Sequence, residues 1–246
     1  LEEDFDLFLS DVQGHGDSDH GSRFRGWNHA AEMAAEAWLA HAPRFGPVPV
    51  HAAGHSFGSV LTCLMLAHHP QTFSRAVLLD PVLFSPAMIG MMALSDLVGL
   101  ASRNKLAAGA RNRRHHWPDR RTAHANLHGR GVFRGWREDC FQAYIDHALR
   151  DVPGGGVELK CRPTREAEIF ASYPRRLWSS LARIRQPVLA LRGRSTFAFA
   201  ARSITRWAAT QPNVTCEEMP GGHCFMQEDP DACADAMIPF LLAAGR

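Results

Sequence analysis

The sequence predicts an α/β fold: a mostly parallel sheet with helices on both faces, interrupted by a long helical insertion. Three observations carry this reading. A short β-branched run, Val48 to Ala53, breaks at the glycine-flanked serine of Gly54-His55-Ser56-Phe57-Gly58 and continues into an apolar stretch that Pro70 stops, which reads as strand, sharp turn and helix. Strand-like and helix-like segments alternate on either side, the rhythm of a parallel sheet with crossover helices. That rhythm is lost at Pro81 and returns near Ser172.

At 246 residues and 46% hydrophobic, the chain can bury a sizeable core. One domain with a large insertion describes it better than two independent domains, with residues 1–80 and 173–246 as the core and 81–172 as the insertion. A formal charge of +2 is too small to imply nucleic acid or a membrane surface as the main partner. The charge is uneven: 14 Lys and Arg against 9 Asp and Glu lie between Pro81 and Ser172, which concentrates the basic surplus in the insertion. The six cysteines contain no C-x-x-C pair, and several sit in apolar contexts, so a reduced, cytoplasmic chain is expected. No uncharged apolar run approaches 18 residues. The nearest, Pro86–Leu100, carries Asp96 and two glycines and reads as a buried or pocket-lining helix.

Taken in order, Phe5 to Asp11 reads as a strand that ends in the Gly- and Asp-rich turn Val12 to Asp19. One His and three Asp between Asp11 and Asp19 match no standard metal-ligand spacing, so the turn reads as a solvated loop. Trp27–His41 is helical. The elbow follows: its tight turn strains the backbone at Ser56, its glycines let strand and helix approach, and the Phe57 amide points where an oxyanion would form. Arg75 to Asp80 is a strand closed by Pro81, which leaves Asp80 at a carboxyl end, the edge where open α/β sheets place their chemistry.

Inside the insertion come a Met-rich apolar piece, then a basic loop with Arg111, Arg113, Arg114, Arg120 and Arg121, read as solvated surface with anion binding as the sharper alternative. A helix over Glu138–Arg150 places Phe141, Tyr144, Ile145 and Leu149 on one face. The turn at Pro153 to Gly156 precedes a short alternating run, Val157 to Cys161. The core resumes with a helix near Pro174–Ile184, a strand over Pro187–Arg192, a helix over Ala201–Thr210 and a last strand, Val214–Met219. Pro220-Gly221-Gly222 turns that strand into His223, and Asp229-Pro230 caps the final helix.

With Ser56 in an elbow and His223 after the last strand, the chain resembles the α/β-hydrolase superfamily, and within it a lidded serine esterase. Asp11 to Asp19 is similar to the family's D-x-x-G-H-G-x-S loop, Gly54 to Gly58 to its nucleophile elbow and Pro220 to His223 to its histidine loop. The insertion is similar to the helical lid that follows the sixth strand in esterase-like members. The resemblance implies that Leu1 stands at the fourth strand, and that an upstream segment supplies the central third strand and the second oxyanion donor. It also exposes a departure. The triad acid usually follows the seventh strand, where this chain has Arg192 to Phe199 and no carboxylate. Some relatives carry it after the sixth, where this chain offers Asp80, whose plainer role would be to cap the loop before Pro81.

The resemblance thus implies catalytic Ser56, His223 and Asp80, an oxyanion donor at Phe57, no cofactor, no metal, and a small-molecule acyl substrate as partner. His55, inside the elbow, is expected to point away from the site. A serine rather than an aspartate at the elbow disfavours alkyl-enzyme chemistry. Carboxylic ester cleavage leads the remaining acyl reactions, with thioesterase, C–C hydrolase, acyltransferase and perhydrolase as alternatives. A non-catalytic small-molecule binder is the rival from another class.

Overall fold

A computed structural model describes residues 1–99 and 104–243, so Leu100 lies outside the described residues. In chain order the elements are α1 (Trp27–His41), β1 (His51–His55), α2 (Phe57–His68), β2 (Arg75–Leu79), α3 (Pro86–Leu97), α4 (Lys105–Arg111), β3 (His116–Trp117), α5 (Arg120–Leu127), α6 (Glu138–His147), β4 (Leu149–Asp151), β5 (Val157–Leu159), α7 (Pro163–Phe170), α8 (Leu177–Leu181), β6 (Val188–Gly193), α9 (Ala198–Thr210), β7 (Val214–Met219), α10 (Phe225–Glu228) and α11 (Pro230–Leu242). The chain divides into two compact units.

The first unit comprises Leu1–Ser10, Asn28–Pro86 and Pro174–Arg246. Its sheet runs β1-β2-β6-β7, and every pair is parallel. The central strands are continuous apolar runs, Ala76-Val77-Leu78 and Val188 to Leu191, all buried. Strands covered on both faces need no polar alternation, which is why these read as unbroken hydrophobic segments. Phe225 and the buried face of α11, Cys233, Met237 and Leu241, pack against Val77, Leu189 and Leu191. Asp229 caps α11 as expected, its Oδ1 accepting from the Ala232 amide at 3.0 Å.

One predicted element of this unit is corrected. Phe5 to Asp11 forms no strand, and among the described residues no ladder reaches it. The amides of Asp4 and Phe5 both donate to the Leu1 carbonyl in a turn just before the segment, and within it Phe8 packs against Trp38, His41 and Phe45. A strand-like sequence becomes a strand only when its amides find a partner strand.

The second unit comprises Asp11–Trp27 and Ala87–Tyr173. Its core is aromatic: Trp117, Phe133, Phe141, Ile145, Leu149, Val157 and Leu159 cluster, with Tyr144 packed against them. The predicted apolar face of α6 is therefore the unit's own core. The unit is not purely helical, however. The α6 helix stops at His147 because Leu149–Asp151 is drawn into an antiparallel sheet of order β3-β5-β4. The Gly154–Gly156 turn closes that hairpin, with the Val152 amide donating to the Gly156 carbonyl at 3.0 Å.

Three further expectations change here. The turn after Asp11 belongs to this unit, held by Lys160 on Asp17 at 2.7 Å and by the buried Arg165, which donates to the His20 carbonyl. The Met-rich helix α3 is not buried; Met91, Leu94 and Leu97 are largely exposed. Part of the basic loop is paired within the unit, Arg113 with Glu166 at 2.7 Å and Arg120 with Asp151 at 2.5 Å, which blunts its anion-binding reading.

Candidate active site

Parallel register sets this site. His55 lies opposite Leu79, so Ser56 and Asp80 are the next residues on neighbouring strands. The ladder continues through the turn, with the Ser56 amide donating to the Leu79 carbonyl at 2.9 Å and the Asp80 amide to Leu191 at 2.7 Å. Both residues then leave their strands with positive φ, 54° at Ser56 and 45° at Asp80. Such backbone costs about 1–3 kcal/mol per residue and persists only where the surroundings enforce it.

The surroundings are visible. A Cβ on Gly54 would stand 2.5 Å from the Gly58 carbonyl oxygen and 2.7 Å from Thr62 Oγ1, so only glycine lets α2 start this close to β1. The buried Ser59 hydroxyl reaches the carbonyls of both Gly54 and Leu79, tying the helix to two strands. Gly58 differs from expectation. Its added Cβ would meet nothing within 4 Å, so the close approach depends on the first glycine alone.

Asp80 is fully buried and its carboxylate is satisfied by three donors. The Gly193 amide donates to Oδ1 at 2.9 Å, while the Thr196 hydroxyl and His223 Nδ1 both approach Oδ2. A buried carboxylate needs such charge-assisted bonds to offset its desolvation. With Nδ1–H directed at Asp80, His223 Nε2 is left as acceptor, and it lies 2.8 Å from Ser56 Oγ. Ser56, His223 and Asp80, far apart in sequence, therefore form one hydrogen-bonded chain. Phe57 is the first residue of α2, and its amide sits at the helix N-terminus, where the dipole favours negative charge.

The loop that carries His223 is pinned from beneath. Ser195 donates its amide to the Gly221 carbonyl at 2.9 Å, and Gly193 approaches so closely that a Cβ there would lie 2.0 Å from the Gly222 oxygen. His55 does not point away. Its Nε2–H donates to the His223 carbonyl at 2.9 Å, and the two rings pack with centroids 4.8 Å apart. Burial, reinforced by the nearby His223, pulls the His55 pKa down to about 4, so its ring is neutral at physiological pH.

Sequence reasoning missed His55, Gly193 and Thr196. The signal for the last two was present: a loop with no carboxylate, rich in small donors, beside a strand-end aspartate. Among the described residues no group of three His, Cys, Asp or Glu side chains is arranged to hold a metal ion, and no helix is long and apolar enough to cross a membrane.

A family model described as the alpha/beta hydrolase fold matches residues 1–230. The chain belongs to the α/β-hydrolase family. As an α/β-hydrolase it superposes on an E-2-(acetamidomethylene)succinate hydrolase with a TM-score of 0.75 and 21% identity, over 95% of this chain and 80% of the other. A peroxisomal α/β-hydrolase of Saccharomyces cerevisiae gives 0.75 and 16%, over 96% and 68%. An esterase of Mycobacterium tuberculosis gives 0.66 and 17%, over 94% and 74%. At these identities the likeness to solved α/β-hydrolases carries the fold alone. No curated protein sequence matches the chain.

Proposed function

We propose that this α/β-hydrolase is a serine hydrolase that cleaves a carboxylic ester or related acyl bond. The observation that carries the reading is the relay from Asp80 through His223 to Ser56 Oγ, with 2.8 Å between Nε2 and Oγ. A serine hydroxyl is a weak nucleophile until a base takes its proton as it attacks. His223 Nε2 is placed to do so, and Asp80 to hold the imidazole in the required tautomer and stabilise its cation.

In the first half-reaction the Ser56 Oγ–carbonyl carbon bond forms and the carbon–leaving-oxygen bond breaks. The serine proton passes by way of Nε2 to that oxygen, which departs as the alcohol. Water then adds to the acyl-serine with His223 as base, releasing the acid and restoring Ser56. Phe57 N–H is the proposed donor to the oxyanion of both tetrahedral intermediates. The six cysteines form no disulfide, which supports a reducing, cytoplasmic setting.

A fluorophosphonate probe tests the reading. Covalent labelling at Ser56, identified by peptide mass and abolished in His223→Ala, is expected. Absence of labelling in the wild-type chain, together with no turnover of short-chain p-nitrophenyl esters, would overturn it in favour of the non-catalytic binder.

A further inference from the structure

Three phenylalanine rings stand in a row that ends on the imidazole of His223. Phe84 and Phe199 are stacked with centroids 5.6 Å apart and planes 2° from parallel; Phe199 and Phe197 follow at 5.8 Å and 19°. Phe197 then packs on His223 at 4.8 Å. All four residues belong to the first unit.

The row is held rather than draped. Phe197 is the N-cap residue of α9 and Phe199 lies in its first turn. The preceding loop is anchored by the Arg194 amide on the Met219 carbonyl, the Ser195 amide on the Gly221 carbonyl and Thr196 on Asp80. On the other side, the Phe84 carbonyl accepts from Trp178 Nε1–H at 2.9 Å, and Trp178 itself lies under the Arg206 guanidinium. The row also lacks charge. Arg192 and Arg194, the cations of this loop, are both engaged by Glu218, at 2.8 and 3.0 Å.

Phe197 is nevertheless 48% exposed. Leaving an aromatic ring in water forgoes burial worth roughly 1.5–3 kcal/mol, and fixed rings exposed beside reactive groups are surfaces that a ligand covers. Parallel rings offer flat faces and edges to another aromatic group in stacked or edge-on geometry.

We infer that the Phe84–Phe199–Phe197 row is the leaving-group subsite, and that it selects esters of alcohols bearing a flat aromatic group over alkyl esters of similar size. The assignment rests on the hydrolase reading above. In that reading His223 Nε2 delivers its proton to the leaving oxygen, so the substituent on that oxygen is the part of the substrate nearest the ring packed on His223. An acyl chain, whose carbonyl carbon is held on Ser56 with its oxygen toward Phe57, leaves from the other side of the reacting centre.

The test compares 2-naphthylmethyl acetate with n-octyl acetate, which share an acyl group and release alcohols of similar acidity. The wild type should prefer the aromatic ester by about tenfold in kcat/KM, and Phe197→Leu and Phe199→Leu should each cut the preference about three- to tenfold. Leucine retains an apolar side chain of similar bulk, so a folded variant is expected; circular dichroism checks this. Direct binding of 2-naphthylmethanol, read by its fluorescence, should weaken in parallel, a measurement that needs no turnover. An unchanged preference and unchanged naphthylmethanol binding in both variants would overturn the subsite while leaving Ser56 labelling, and with it the hydrolase reading, intact. Loss of Ser56 labelling in the wild type would strike the hydrolase reading instead, and ring-dependent binding of 2-naphthylmethanol would still support an aromatic site.

Discussion

His55 donates its Nε2–H to the main-chain carbonyl of His223 across 2.9 Å, joining the residue before the serine to the residue that faces it. The bond fixes the height of the histidine loop relative to the elbow, and the neutral ring places no cation beside an imidazole that becomes one in the proposed mechanism. His55→Ala should therefore lower kcat about 10- to 100-fold with KM little changed, since a misplaced base costs rate more than binding. His55→Gln, whose side-chain amide can donate from a similar position, should recover most of that loss. Steady-state kinetics on a p-nitrophenyl ester reads both, and equal damage in the two variants would mean that His55 only fills space.

The same residue sets an acid limit. In the unfolded chain His55 titrates near its ordinary 6.5, while burial holds it at about 4 in the fold. Between those values the unfolded chain binds a proton that the folded chain does not, so stability falls as pH drops through this window. For His55 the loss is on the order of 3 kcal/mol. His15, also lowered chiefly by burial, acts in the same direction. Urea midpoints at pH 7.5 and 4.5 should differ clearly in the wild type and less in His55→Gln.

Asp80 and Thr196 provide a graded pair. Asp80→Asn should reduce kcat by about 10⁴, because an amide in place of Oδ2 no longer selects the right imidazole tautomer. Thr196→Val removes one donor to the same oxygen and should cost about tenfold, with Thr196→Ser close to wild type. A near-normal rate for Asp80→Asn would remove Asp80 from the proposed triad.

The elbow glycines should behave unequally. Gly54→Ala drives a Cβ into the Gly58 carbonyl and Thr62, and should destabilise the fold by about 2–4 kcal/mol with loss of Ser56 labelling. Gly58→Ala meets open space inside α2 and should be neutral or stabilising by up to about 1 kcal/mol. Thermal denaturation of the two variants distinguishes them.

Much of this molecule is legible in one dimension. Trp27–His41 and Val214–Met219 are found at their expected bounds, and the Asp229 cap stands where its residue types put it, because each is decided by periodicity or by a side chain bonding its own neighbours. Ser56, Asp80 and His223 could be singled out for a related reason: a sharp turn or a strand's carboxyl end leaves a local signature.

What local sequence signals could not decide was how distant segments meet. Phe5 to Asp11 reads as a strand but has no partner strand among the described residues, and the end of the predicted α6 became β4 because β5 was there to pair with it. The roles of His55, Gly193 and Thr196 depend on which carbonyl or carboxylate lies within 3 Å once the strands align. Local propensity acts over a few residues, whereas a hydrogen bond between residues 55 and 223 exists only after the chain has folded back on itself, and that contact belongs to the tertiary structure alone.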